Sequence, residues 1–198
     1  ELKDAGVSLD DVRMLVITHN HPDHYGLAAK LLELGRMRLL MHRLDWVYLD
    51  TRGRDRVAVT RDIGAFLARH GFEIPARDQA QAYEATRSLR LAAPNLMLED
   101  GDRIAVQGSS LQVVWTPGHT TGHICLFDAE RRFLMTGDHV LDPITPNIGV
   151  TRPNMGNPLG DYIGSLAKVG APDVDLVLPA HGEPFTGLKR RVGELLAN

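Results

Sequence analysis

Cysteine is nearly absent: Cys125 stands alone among 198 residues, so neither an intrachain disulfide nor a thiolate metal cluster can form. It lies in the apolar run His123-Ile124-Cys125-Leu126-Phe127, where a small buried core side chain is expected. Long apolar runs are missing too. None approaches the ~18 to 20 residues that a membrane span needs, so no transmembrane helix and no membrane partner are expected. Neither sign of charge dominates, since 22 basic against 25 acidic side chains leave a formal net charge of −3. That balance gives no general attraction to nucleic acid or to an anionic membrane. The one basic run, Arg52, Arg54, Arg56 and Arg61, is interrupted by Asp50, Asp55 and Asp62 and reads as a solvated helix surface. Internal repeats, interdomain linkers and a nucleophilic-serine motif are also lacking. These absences point to a cytoplasmic protein, and a start at Glu1 rather than Met leaves room for a leader or early strands ahead of it.

What is present has the composition of an ordinary globular protein, 43% apolar and 24% charged, long enough for a single domain over 1–198. The β-branched run 12–17 reads as a buried strand and 38–42 as another. Between them Leu27, Leu31, Leu32 and Leu34 form a helical stripe over 25–35, closed by Gly35. The pattern turns helical and charged over about 44–93, as expected of a helical insertion laid over a β core. It then switches to short strands at 95–98, 103–106, 111–116, 123–127 and 133–136, which predict an antiparallel meander. A Pro/Asn/Gly-rich loop follows over 142–160, of the kind that is functional or mobile. A helix (159–169), a strand (174–178) and a terminal helix (188–196) complete the chain.

Chemistry concentrates in Thr18-His19-Asn20-His21-Pro22-Asp23-His24, straight after the first strand. In an extended segment side chains at i and i+2 point the same way, so His19 and His21 can grip one ion together. Pro22 turns the chain, and Asp23 and His24 leave that line for a second position beside the first. A polar strand-to-helix turn is the plain alternative. Three more candidate ligands each follow a predicted strand: His119, Asp138 and His181. Strand ends gather along one sheet edge, which is how a site is built from residues far apart in sequence.

The order His19-Asn20-His21-Pro22-Asp23-His24, Pro117-Gly118-His119, Gly137-Asp138 and Ala180-His181-Gly182 resembles the metallo-β-lactamase superfamily over nearly the whole chain. The resemblance implies an α/β fold, a four-layer αββα sandwich with the site at one edge, and some of the family's N-terminal strands absent from this sequence. It further implies that His19, His21 and His119 hold one metal, that Asp23, His24 and His181 hold a second, and that Asp138 bridges them. Two divalent ions are thus the implied cofactors; the all-N/O set suits zinc and tolerates iron or manganese. The implied reaction is hydrolysis of a small-molecule ester, thioester, lactone or lactam, with a metal-bridging hydroxide attacking the carbonyl and Asp23 and Asp138 as its catalytic carboxylates. An iron-dependent oxidoreductase of the sulfur dioxygenase kind is the alternative, and a nuclease comes after it. The segment Gly118-His119-Thr120-Thr121-Gly122-His123 looks most like the glyoxalase II branch, while Gly137-Asp138-His139-Val140-Leu141 is closer to a poorly characterised hydrolase subgroup. No substrate-binding residue is assigned, and homo-oligomerisation stays open.

Of the other histidines, His123 is expected behind the ligands as an outer partner, His139 facing substrate or structural, and His42 and His70 structural. Leu44, Trp46, Val47 and Tyr48 could roof a pocket that Ile144, Ile148 and Met155 line, although an aromatic cluster in a helix is more often core.

Overall fold

The computed structural model describes residues 4–54, 64–73, 75, 90–149 and 156–197. Ser8 opens the chain with a cap: its N–H and hydroxyl both donate to Asp11, at 2.9 and 2.6 Å, around the 3-10 turn Leu9–Asp11. β1 (Met14–Ile17), β2 (Arg38–His42) and β3 (Leu96–Leu98) form a parallel three-stranded sheet in that order. β4 (Arg103–Val106), β5 (Ser109–Trp115), β6 (Ile124–Asp128) and β7 (Phe133–Gly137) make an antiparallel run, which β8 (Leu176–Pro179) joins in parallel beside β7.

Period-2 alternation explains the layers. Leu40 and Leu98 of the first sheet pack on Ile104, Leu111, Val113, Ile124 and Leu126 of the second, and this is the seam between the sheets. Alternate residues face outward. Leu39 and Met41 meet Tyr25 of α1 (Pro22–Tyr25), Ala28 of α2 (Ala28–Leu34) and Leu49 of α3 (Arg43–Arg54). On the far side Cys125, Leu134 and Val177 meet Tyr162, Leu166 and Val169 of α4 (Pro158–Gly170) and Leu188 and Val192 of α5 (Leu188–Ala197). The result is the αββα sandwich, and Cys125 is a core residue whose thiol burial pushes up to about 12.

Three expectations need correction. The strand at 95–98 is not part of the meander: β3 pairs with β2, and Asn95 secures it by donating its N–H to Leu39 O (2.8 Å) and accepting Leu39 N–H at Oδ1 (2.7 Å). The helix over 25–35 starts later, as α2 (Ala28–Leu34) set off from the short α1 that ends at Tyr25, and its cap Gly35 is extended (φ −133°) rather than left-handed. Trp46 and Ile148 pack against the apolar clusters of the two outer layers, which is the core reading of both. Within the insertion α3 and a helical segment at 64–69 are described, whereas 55–63, 76–89 and Met155 lie outside the described residues. No helix among the described residues is long and apolar enough to cross a membrane.

Candidate metal centre

Strand ends carry the site. The Thr18–His21 turn leaves β1, and its Thr18 carbonyl accepts Ile124 N–H at 2.9 Å, tying the end of the first sheet to the second. Likewise Ala180 N–H donates to Gly137 O at 3.0 Å, which sets the residues after β7 and β8 side by side. All seven residues singled out in the sequence meet here. His19, His21, His119 and Asp138 form one group able to hold an ion, and Asp23, His24 and His181 form another.

In the first group His21 Nδ1 lies 3.1 Å from His19 Nε2 and 2.9 Å from His119 Nε2. Asp138 Oδ2 is 3.8 Å from His19 Nε2 and 3.5 Å from His119 Nε2. In the second group Asp23 Oδ2 sits 3.3 Å from both His24 Nε2 and His181 Nε2. Asp138 turns its other oxygen that way, Oδ1 lying 3.5 Å from His24 and 3.6 Å from His181. Donor atoms around a tetrahedral zinc with Zn–N near 2.0–2.1 Å stand roughly 3.3–3.4 Å apart, so both groups have the spacing of ligand edges. The buried atoms His24 Nε2 and Asp138 Oδ1 also have no hydrogen-bond partner among the described residues. Unsatisfied groups of that kind are costly unless a cation takes their lone pairs. The residues therefore fit the metal that their chemistry implies.

Electrostatics prepare the donors. Burial, reinforced by neighbouring rings, lowers the pKa of His19 and brings His21 down to about 4, so both rings are neutral at pH 7 and able to donate a lone pair. Burial opposes ionisation of Asp138, but His24, His119 and His181 outweigh it and its pKa is lowered. His24 moves up because Asp138 and Asp23 outweigh its desolvation.

Outer partners fix the rings. His119 Nδ1 donates to Asn147 O at 2.8 Å, leaving Nε2 as the free donor atom. His123, fully buried, accepts Asp138 N–H at Nε2 (3.1 Å) and meets Thr116 Oγ1 at Nδ1 (2.8 Å), the outer position expected of it. Gly137 (φ +51°) allows that approach, since a Cβ there would come 2.7 Å from His123 Nε2. His139 is fully buried against Tyr162, with ring centroids 5.0 Å apart, and neither ring nitrogen has a partner among the described residues. His42 is structural: Nδ1 accepts Leu44 N–H at 3.2 Å and its ring stacks on Trp115. His70 bonds Phe66 O at 2.8 Å.

Sequence reasoning passed over Asp45. This carboxylate on the first turn of α3 is fully buried and accepts Asn20 N–H, Thr120 Oγ1–H and Gly122 N–H at 2.7–2.8 Å. Burial pushes its pKa up to about 6 against those three donors. The only local signal is an Asp in a helix's first turn, which reads as an ordinary dipole partner.

The two-sheet frame and the His/Asp cluster at its strand ends define a protein of the αββα class with side chains able to hold metal ions. Residues 1–181 match the family model of the metallo-beta-lactamase superfamily, and the chain belongs to that superfamily. It is 29% identical over 200 residues to the "Probable metallo-hydrolase YqjP" of Bacillus subtilis, covering 96% of this chain and 60% of that protein. A shorter match, 33% over 100 residues, is to the "Atrochrysone carboxyl ACP thioesterase AgnL7" of Paecilomyces divaricatus, covering 50% of this chain and 29% of that one. The crystal structure of the metallo-beta-lactamase family protein TTHA1429 from Thermus thermophilus superposes with a TM-score of 0.85 at 28% identity, over 99% of this chain and 63% of its own. The chain thus spans about 60% of the length of YqjP.

Proposed function

We propose that the protein is a dinuclear metal hydrolase that cleaves a small ester or thioester, lactones and lactams being further members of the same acyl class. The observation that carries this reading is the division of Asp138: Oδ2 faces His19 and His119, and Oδ1 faces His24 and His181. One carboxylate facing both donor groups would let Asp138 contribute an oxygen to each of two ions. Two divalent ions, zinc by the all-N/O donor set, would supply Lewis acidity and water acidified to a pKa of about 7.

The chain's own groups account for the rest. Burial keeps His19 and His21 neutral, and their donor atoms stand together with that of His119. Asp23, with a side chain 57% exposed, is the open carboxylate and is assigned the proton released as water adds to the acyl carbon. His181, 44% exposed, marks the side from which substrate arrives. Breaking the acyl C–O or C–S bond leaves a carboxylic acid, and the departing alcohol or thiol takes up the proton. A thioester is favoured by the thioesterase name of the Paecilomyces divaricatus relative.

A screen of zinc-loaded protein against ester, thioester, lactone and lactam substrates tests the reading. Hydrolysis of an acyl substrate by wild type and its loss in a His19→Ala/His21→Ala variant are expected. Iron in the protein as purified together with oxygen consumption on a persulfide, or wild-type hydrolysis by the double variant, would overturn it.

A further inference from the structure

Asp45 lies outside both donor groups, yet it holds two ligand-bearing turns at once. Oδ2 accepts Asn20 N–H at 2.8 Å and Thr120 Oγ1–H at 2.8 Å, and Oδ1 accepts Gly122 N–H at 2.7 Å. Asn20 stands between His19 and His21, Thr120 follows His119, and Gly122 precedes His123, the ring that accepts Asp138 N–H. Asn20 and Thr120 are themselves buried. Hydrogen bonds to an ionised acceptor are about twice as strong as neutral ones, so three of them make a stiff joint. There is no slack in it: a Cβ at Gly122 would come 2.5 Å from Asp45 N and 2.7 Å from its Oδ1. None of these bonds reaches Asp23, His24 or His181.

We propose that Asp45 is a positioning residue that locks the turn holding His19 and His21 to the turn holding His119, so that the three-imidazole pocket is formed before an ion arrives. The inference rests on the metal-site reading above and adds a selectivity to it. Asp45 supports the first pocket and leaves the second, Asp23 with His24 and His181, to itself. Support of this outer kind is worth about 10–100-fold in metal affinity.

Zinc titration against a competing chelator tests it, with His181→Ala as background so that the first pocket is read, and His119→Ala as background for the second. Asp45→Asn keeps the shape but turns one acceptor into a donor facing donors. It is expected to weaken zinc at the first pocket by about 10–100-fold and to leave the second unchanged. Leu49→Ala, a buried change on the same helix, controls for lost stability; it is expected to lower Tm with the first pocket's affinity retained. Amide exchange of Asn20 and Gly122 in the metal-free protein should quicken in Asp45→Asn alone. Wild-type affinity at the first pocket in Asp45→Asn, or an equal loss in Leu49→Ala, overturns the proposal. If Asp45→Asn does not fold, Thr120→Val removes one of the three bonds, and an unchanged first pocket there overturns it as well. A wild type that binds no zinc sinks the metal-site reading instead, and the amide exchange still decides the lock.

Discussion

The His123 ring accepts the backbone N–H of Asp138 at 3.1 Å, and its other nitrogen meets Thr116 Oγ1 at 2.8 Å. Thr116 in turn lies 3.5 Å from Cys125 Sγ, so a line of buried polar atoms runs from the core of the second sheet to the carboxylate between the two donor groups. A ring in that position sets where Asp138 points.

Replacing it should therefore be felt at the metals. His123→Phe fills the volume but leaves the buried Asp138 N–H without its acceptor, at a cost of about 1–3 kcal/mol. Metal affinity should fall about 10–100-fold as Asp138 drifts. Urea unfolding of the metal-free variant and chelator competition on the loaded one check the two parts separately; an unchanged affinity would assign His123 to packing alone.

Arg191 anchors the segment that follows Asp138. Its guanidinium donates to the carbonyls of Leu141 (2.7 Å), Pro143 (3.0 Å) and Ile144 (2.8 Å), and it is nearly fully buried. Arg191→Met leaves those carbonyls bare and should cost about 2–4 kcal/mol in denaturant unfolding. Ile144 is 54% exposed on this segment, so KM for the acyl substrate should rise while metal content holds. Arg191→Lys should recover little, because a point charge cannot replace a fork that serves three carbonyls and Glu194 at once.

The metal-free protein should lose stability in mild acid. Burial lowers the pKa of His19 and His123, brings His21 to about 4 and His139 to about 3, against an ordinary 6.5. The unfolded chain therefore takes up protons first, and the stability these four contribute is present above pH 6.5 and lost as pH falls toward 4. Asp45, raised to about 6 from 3.8, and His24, raised above 6.5, act in the opposite sense. Four groups outweigh two. Thermal melts from about pH 7.5 to about 5 should show a falling Tm, flatter in His139→Phe. A constant or rising Tm would contradict the neutral-imidazole account.

How much of this was legible depended on distance along the chain. The stretch from His19 to His24 could be read because four candidate donors fall within six positions, and β2 and β4 because a short apolar run and an alternating one are local signals. The strand at 95–98 was legible as a strand but not as a partner of β2, since parallel pairing across an insertion leaves no local trace. Asp45, the Asn147 carbonyl and Arg191 were not legible at all. Each matters through contacts made 25 to 77, 28 and 47 to 50 residues away respectively, which only the folded chain brings together. The roof suggested by Trp46 fails for a related reason, because a helix in contact with a sheet spends its aromatics on the core.

The central claim, that Asp138 joins two ion sites, is tested most directly by metal analysis of zinc-reconstituted wild type and Asp138→Ala after dialysis against a weak chelator. The account expects about two zinc ions per wild-type chain and a variant that keeps neither tightly, because each donor group loses one oxygen. A single ion in wild type, or a variant that retains both with unaltered affinity, would contradict it.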